Sequence, residues 1–280
     1  MVLSATLLSA TLLSATLLSA GGAAALTKAK VPRRPHRTVT TTVITTPPTT
    51  APDSAPAPAT VGGSPLDWAR TMVENVTEAT TDYDHNLGPV TWTGEHGAAA
   101  YESRTDCSGF ILALYEQAYS VTLPQLSGWL GKKRPLAASF VDAIGAGHGF
   151  SAVSTVAEIQ PGDLIAVRYA NPAKGDNTGH LMLVESSPTA RAATNPLVDG
   201  TTQWDVNIID QSSTGHGPTD TRHHADKTFA SGVGRGTIRL YTDSAGSPVG
   251  YAWSDIGVSP FYSQSDRPLV IGRLDPGHAW

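Results

Sequence analysis

Cys107 is the only cysteine in the 280-residue sequence, and its neighbours are those of a reactive thiol. Asp106 stands where the N-cap of a following helix belongs. The apolar side chains that predict this helix recur at the spacing of one helix face, at Phe110, Ile111, Leu114 and Ala118. Unsatisfied N–H groups and the helix dipole in a first turn favour thiolate over thiol. The sequence therefore predicts a nucleophile at Cys107; the alternative is an ordinary cysteine buried in a helix–core contact.

Small residues follow the thiol. Ser108 and Gly109 would allow a substrate to approach the sulfur, and the Cys107 backbone N–H could help to bind an oxyanion. Asp106 and Ser108 are therefore candidates for substrate contacts. A single cysteine also excludes an intrachain disulfide within this sequence, so the thiol is free to react.

A base and a carboxylate occur at the ends of two predicted strands. His180 opens one strand and Asp210 closes the next. If the two strands pair as antiparallel neighbours, residue 180 lies opposite residue 210 at one end of the sheet. An imidazole beside a carboxylate can take a thiol proton and later protonate a leaving amine. The simpler interpretations are a strand-edge histidine without function and a turn-initiating acid.

Further polar residues follow the second of these strands. His216 could line the same cleft or orient His180 in place of Asp210, or it could be a surface-loop histidine. Arg222 could bind a substrate carboxylate. The residues from His216 to Asp226 fit neither the H-E-x-x-H pattern nor paired cysteines, so neither a metal nor another cofactor is expected.

Helical patterns precede strand patterns along the chain. Ser64, Pro65 and Asp67 combine an N-cap, a proline at the first helical position and an acid at the third, which predicts a helix to about residue 77. Residues 89–93 predict a short strand, residues 123–150 give no clear pattern, and the glycines of 232–236 favour a tight turn. Further strands are predicted at 163–169, 180–185, 204–210, 237–242, 249–253 and 269–273. This order indicates an α+β fold in which N-terminal helices, including the Cys107 helix, pack on an antiparallel β-sheet.

Charge and composition divide the chain. Residues 1–63 hold five basic residues and one acid, which gives a net charge of +4. Because the net charge of the whole chain is −5, the remaining residues carry a net charge of −9. A domain this acidic is a poor candidate for binding nucleic acid. The sequence therefore indicates one folded domain, residues 64–280, preceded by a long tail.

The tail has two parts. Residues 1–27 contain a repeated Leu-Ser-Ala-Thr-Leu unit and small residues, which suit an export signal; a low-complexity leader is the alternative. Residues 28–63 are basic and then rich in Thr, Pro and Ala, a composition that predicts a disordered linker. Its basic part could contact an anionic wall polymer or membrane surface, or it could be a solvated charge run.

Three motifs in order resemble one known family. Asp106-Cys107-Ser108-Gly109-Phe110 before an apolar helix, Pro161-Gly162-Asp163-Leu164-Ile165, and Gly179-His180 at a strand start are similar to the NlpC-type cell-wall cysteine peptidases. This family is papain-like and is related to CHAP amidases, and the resemblance covers roughly residues 64–243. Where the family often has Tyr-x-x-Gly-Gly upstream of the cysteine, this chain offers Trp92-Thr93-Gly94 and Tyr101.

The resemblance implies a nucleophile at Cys107, a base at His180 and an orienting residue at Asp210. It further implies hydrolysis of amide bonds in peptidoglycan stem peptides through a thioester, by a secreted or cell-envelope protein. We expect a monomer that acts without a cofactor on peptidoglycan or another peptide. Two alternatives remain at this point: acyl transfer by the same Cys–His pair, and an inactive wall-binding domain that retains the fold.

Overall fold

A computed structural model describes residues 62–170 and 177–280. The predicted export signal and nearly all of the predicted linker lie outside these residues. Within the two described ranges, no helix combines the length and the apolar character needed to cross a membrane.

Most of the helices precede the main sheet. The first begins as predicted, because the Ser64 side chain accepts from the Asp67 N–H and the Asp67 carboxylate accepts from the Ser64 N–H. Residues 123–150, which gave no clear pattern, contain two short helices and a short strand. The helices are α1 (Pro65–Asn75), α2 (Cys107–Tyr119), α3 (Leu123–Trp129), α4 (Ala137–Gly145) and α5 (Pro276–Ala279).

Two sheets are present in the described ranges. A small sheet has the order β1-β3-β2, and a larger one has the order β11-β10-β9-β8-β6-β5-β12-β4, with β7 paired to β8. All pairs of the larger sheet are antiparallel. The strands are β1 (Thr81–Tyr83), β2 (Val90–Thr91), β3 (Glu102–Thr105), β4 (Phe150–Ala152), β5 (Leu164–Arg168), β6 (Gly179–Val184), β7 (Thr189–Ala190), β8 (Thr202–Ser212), β9 (Gly232–Thr242), β10 (Pro248–Ala252), β11 (Tyr262–Ser263) and β12 (Leu269–Leu274).

The larger sheet separates two apolar clusters. Alternate residues of β6 point to opposite faces, as the strand period requires. Leu181 and Leu183 pack with the helices, whereas Met182 and Val184 join the cluster on the other face. Helix α2 is therefore almost wholly buried against the sheet, as the sequence predicted.

The mixed α+β architecture confirms the fold class, and each predicted strand is present within a few residues of its expected bounds. The prediction of a tight turn at residues 232–236 is wrong, because these residues begin the long strand β9. Their glycines lie where bulky neighbours approach the strand. The space they leave is used by the candidate site.

Candidate active site

Cys107 occupies the first position of α2, directly after β3 and the N-cap Asp106. The Asp106 carboxylate accepts from the Gly109 N–H and the Ser108 hydroxyl, each at 2.7 Å, and pairs with Arg134 at 2.7 Å. Asp106 and Ser108 are both buried, so these contacts fix the start of the helix. The placement favours this supporting role over the substrate contacts that the sequence suggested for the two residues.

Gly109, which the sequence suggested as space for an approaching substrate, has a packing role in the structure. A Cβ added there would lie 2.0 Å from Thr105 Oγ1. The glycine therefore allows α2 to pack closely on the end of β3, which holds Cys107 in a fixed position relative to the sheet.

The Cys107 thiol is almost fully buried, with 4% of the residue exposed. Burial raises the pKa of the thiol, and the adjacent Asp106 carboxylate raises it further. The N–H groups of Leu181 and Ser108 act in the opposite direction but more weakly. The expectation of a lowered thiol pKa is therefore wrong, because desolvation and a neighbouring negative charge outweigh the helix N-terminus. A thiol in this state needs a base to accept its proton during attack.

His180 and Asp210 meet, although not in the predicted register. Strands β6 and β8 pair Leu183 with Ile209 and Val184 with Ile208. Continued along the strands, this register places Asp210 two residues from the position opposite His180. The shift is even, so both side chains stay on one face and meet diagonally. His180 Nε2 lies 2.6 Å from Asp210 Oδ2.

Helix α2, which begins at Cys107, packs against strand β6, which begins one residue before His180. The Leu181 N–H, one residue after His180, is close enough to the Cys107 sulfur to lower the pKa of the thiol. His180 Nε2 faces Asp210, so Nδ1 is the ring nitrogen that Asp210 does not engage. The structure thus brings the N-terminus of α2 to the start of β6.

Asp210 is fully buried and holds two more partners. Arg222 Nη2 donates to Oδ1 at 2.8 Å, and His216 Nε2 lies 2.8 Å from Oδ2. Burial alone would raise the pKa of Asp210. The Arg222 guanidinium and the His216 ring more than offset burial and hold this pKa well below its usual value. Asp210 is therefore an ionised carboxylate in a protein interior, which requires such partners.

His216 and Arg222 thus stand behind the carboxylate. His216 does not replace Asp210 but shares one of its oxygens with His180. Arg222 is buried and donates to Asp210, to both oxygens of Asp220 and to the Gly232 carbonyl. With these donors engaged inside the protein, the geometry favours a supporting role for Arg222 over the predicted clamp on a substrate carboxylate.

The glycines of β9 make room for this cluster. A Cβ at Gly234 would lie 2.5 Å from Arg222 Nε, and a Cβ at Gly236 would lie 2.6 Å from Asp220 Oδ2 and 2.7 Å from His216 Cβ. Gly234 pairs directly with Asp210 in the ladder between β8 and β9. The alternating Gly-x-Gly-x-Gly pattern was a signal that a bulky polar cluster covers one face of this strand.

A cleft of about 170 Å³ opens beside His180. Its lining includes the Tyr169 and Trp253 rings and the polar turn Ser212–Gly215, along with Tyr83, His85, Asn177 and His216. The Trp253 ring meets the His180 ring edge to face, with the ring centroids 5.5 Å apart. This volume suits one side chain or a short segment of a larger substrate.

Tyr83 is a site residue that the sequence interpretation missed. It lies on β1, lines the cleft and interacts with Cys107. Burial raises the pKa of its hydroxyl, and Cys107 and Asp106 raise it further. Strand β1 reaches the site because Gln211 donates to the Asp82 carbonyl at 2.6 Å. Tyr83 and Tyr169 are therefore both near the thiol, because Cys107 raises the pKa of each hydroxyl.

The ligand atoms of His180, Asp210 and His216 lie within 4.8 Å of one another, a spacing that would suit a metal ion. Other contacts oppose a cation here. Arg222 places a positive charge on the same carboxylate, and His216 Nδ1 is engaged by the Trp253 carbonyl at 2.7 Å. The arrangement fits a hydrogen-bonded charge cluster better than a metal site.

An α+β fold that carries a cysteine at the start of a helix, packed on an antiparallel sheet with a histidine at a strand start, is papain-like in architecture. The model of the NlpC/P60 family matches residues 89–190, which include Cys107 and His180. The chain belongs to the NlpC/P60 family, whose members are generally cysteine peptidases.

The chain is similar to an uncharacterized protein of Acanthamoeba polyphaga mimivirus. It is 35% identical over 220 residues, which cover 76% of this chain and 96% of the relative. No solved structure matches the chain.

Proposed function

We propose that the protein is a cysteine-nucleophile amide hydrolase that cleaves peptidoglycan stem peptides through a thioester intermediate. The observation that carries the proposal is the 2.6 Å contact between His180 Nε2 and Asp210 Oδ2, at the start of a strand that packs against α2, the helix that begins at Cys107. Family membership supports the choice of a peptidase or amidase acting on peptidoglycan.

The proton transfers follow from the tautomer of His180. An ionised Asp210 accepts the Nε2–H, which leaves a lone pair on Nδ1. Nδ1 takes the Cys107 proton as the sulfur attacks the amide carbonyl carbon, and returns it to the nitrogen as the C–N bond breaks. Water then attacks the thioester, with His180 again as the base, and releases the acid and the free thiol.

Two donors are placed to stabilise the oxyanion of the tetrahedral intermediates. The Cys107 N–H lies in the first turn of α2, where N–H groups have no partner within the helix. Tyr83 lines the cleft, and Cys107 is near enough to raise the pKa of its hydroxyl. Donors of this kind act on charge that develops during the reaction.

We also propose that the leader exports the protein and that the linker holds the domain near a wall or membrane. This location would give a peptidoglycan hydrolase access to its substrate. Detection of mature protein outside the cytoplasm, beginning after the small residues near position 25, would support it; retention of the full-length chain in the cytoplasm would contradict it.

Product analysis tests the activity. Purified peptidoglycan and soluble stem peptides are incubated with the protein, and products are identified by mass spectrometry with and without an added amine acceptor. We expect hydrolysis products, no turnover by Cys107→Ala or His180→Ala, and a smaller loss for Asp210→Ala. Products joined to the acceptor would indicate acyl transfer. Turnover by a folded Cys107→Ala variant would refute the nucleophile.

The burial of Cys107 favours a second candidate, an inactive wall-binding domain. Iodoacetamide labelling separates the two near neutral pH. A thiol that is labelled in the native protein, at a rate that falls in His180→Ala, supports the enzyme. A thiol that reacts only after denaturation, together with binding to peptidoglycan without products, supports the inactive domain.

A further inference from the structure

His216 contacts an acceptor through each of its ring nitrogens. Nδ1 lies 2.7 Å from the Trp253 carbonyl oxygen, which can only accept, so Nδ1 carries a proton. Nε2 lies 2.8 Å from Asp210 Oδ2, which also faces His180 Nε2. A carboxylate that receives donors on both oxygens is ionised, so Nε2 of His216 carries a proton as well. The contacts therefore describe a buried imidazolium.

The charges around this ring balance. Asp210 on β8 and Asp220 in the following loop supply two negative charges, and Arg222 supplies one positive charge. A second positive charge on His216 makes the four-residue cluster neutral. Asp220 Oδ2 also accepts from the His216 backbone N–H at 2.8 Å.

The remaining charged groups near His216 come from other elements. His180 on β6 has its ring centroid 6.3 Å from that of His216. Beyond β10, Asp255 lies against the neighbouring Gly217, where an added Cβ would be 3.0 Å from Asp255 Oδ1. Asp255 does not contact the His216 ring. The charge state of this ring is therefore set by Asp210, Asp220 and Arg222.

We propose that His216 is a positioning residue, doubly protonated at neutral pH, which holds His180 with Nε2–H toward Asp210 and keeps the resting Cys107–His180 pair uncharged. The proposal rests on the proposed function and adds to it the state from which the reaction starts. Arg222 and His216 together balance the negative charges of Asp210 and Asp220, so the carboxylate beside His180 carries no uncompensated charge. The thiol proton then moves only when a substrate carbonyl is attacked.

The size of the effect follows from the separation of the rings. Two unit charges at the 6.3 Å separation of the His180 and His216 ring centroids interact strongly at an effective dielectric constant of about 20. This interaction would change the ratio of the charged to the uncharged form of the Cys107–His180 pair by roughly a hundredfold. His216→Gln removes one of these charges. A thiolate–imidazolium pair should then become populated in the resting protein, although it is absent from the wild type.

The protonation state is measured first, without any use of activity. Long-range ¹H–¹⁵N spectra of the full chain labelled with ¹⁵N-histidine, with sequential assignments, report each ring nitrogen. We expect two protonated nitrogens on His216 and one, Nε2, on His180 at pH 7.5. A single protonated nitrogen on His216 at that pH would overturn the proposal, whether or not the protein hydrolyses anything.

The effect on the thiol is measured by the pH dependence of iodoacetamide alkylation at Cys107. We expect the wild-type rate to rise steadily with pH, whereas His216→Gln should show a plateau between about pH 6 and 8 that is abolished by adding His180→Ala. The matched control is His224→Gln, in the same loop but paired with surface Glu78 at 3.3 Å, which should follow the wild type.

Each outcome has a distinct meaning. The role of His216 would be merely structural if two results came together in His216→Gln. The alkylation rate of Cys107 would follow the pH profile of an unfolded thiol, and the variant would unfold at a lower urea concentration. This combination would refute the proposal. Retention of the wild-type profile in a folded His216→Gln variant would refute it too. If the proposed function is wrong but the protonation of His216 is as proposed, the NMR spectra will show two protonated ring nitrogens on His216, and the activity test will give no hydrolysis products.

Discussion

Replacing Gly234 by Ala should disturb the candidate site through one methyl group. The added Cβ would lie 2.5 Å from Arg222 Nε and 2.9 Å from Arg222 Cδ and Cγ. The Gly234 backbone is not in the left-handed region, so alanine meets no conformational penalty. The Arg222 side chain is 3% exposed and cannot swing into solvent. The clash must therefore displace Arg222 from Asp210 or bend β9.

The expected cost combines two effects. Overpacking a filled interior costs about 1–3 kcal/mol, and weakening a hydrogen bond to a buried charged group costs about 1.5–3 kcal/mol. We expect the free energy of unfolding to fall by about 2.5–6 kcal/mol in urea titrations. The control is Gly128→Ala, at an exposed position of α3 where an added Cβ would have no atom within 4 Å. This substitution should leave the free energy of unfolding unchanged or raise it by up to about 1 kcal/mol.

A double-mutant cycle isolates the contact. In an Arg222→Ala background the methyl group has no partner to strike, so Gly234→Ala should cost less than about 0.5 kcal/mol there. An equal cost in both backgrounds would show that the glycine serves the strand itself and would refute the reasoning. A cost below about 0.5 kcal/mol in the wild-type background would refute it as well.

Three further predictions concern the same site. The pKa of His216 is raised above 6.5, mainly by Asp210 acting against burial; its stabilising effect is complete below pH 6.5 and is lost as the pH rises through the folded-state pKa. The stability difference between wild type and His216→Gln should therefore shrink from pH 6 to 9 in urea titrations, and growth would contradict this. Asp106→Ala removes the acceptor of two donors at the start of α2 and should lower unfolding free energy by about 2 kcal/mol; a loss below about 0.5 kcal/mol would exclude the cap as a support. Tyr83→Phe should keep the fold but slow turnover by about tenfold or more, and unchanged turnover would remove this hydroxyl from the reaction.

Sequence patterns predicted the elements that carry the site. A capping residue before an apolar helix located Cys107, and short β-branched runs located the strands of His180 and Asp210. These signals are local, because they depend on side chains a few residues apart.

Contacts between distant segments were not predictable in the same way. The register between β6 and β8 is two residues from the expected one, since the loop between them does not fix it by its length. Tyr83 reaches the thiol only because Gln211 binds β1 to the larger sheet. Burial of the thiol likewise depends on packing that no local pattern contains.

The buried cluster shows how a local pattern can be misread. Three alternating glycines suggested a turn, although the same spacing on a strand leaves one face open for large neighbours. The sequence suggested substrate contacts for Arg222 and His216 because their partners are distant in the sequence or lie in a loop of irregular structure. Their charges instead stabilise a carboxylate that is fully buried.

The central claim is that the Cys107 sulfur forms a covalent bond to substrate. Acid quenching during turnover of a soluble stem peptide, followed by mass spectrometry of the digested protein, tests it directly. We expect an acyl group on the peptide that contains Cys107, present in wild type and absent from His180→Ala. Turnover without any acyl group on this residue, and undiminished in Cys107→Ala, would contradict it.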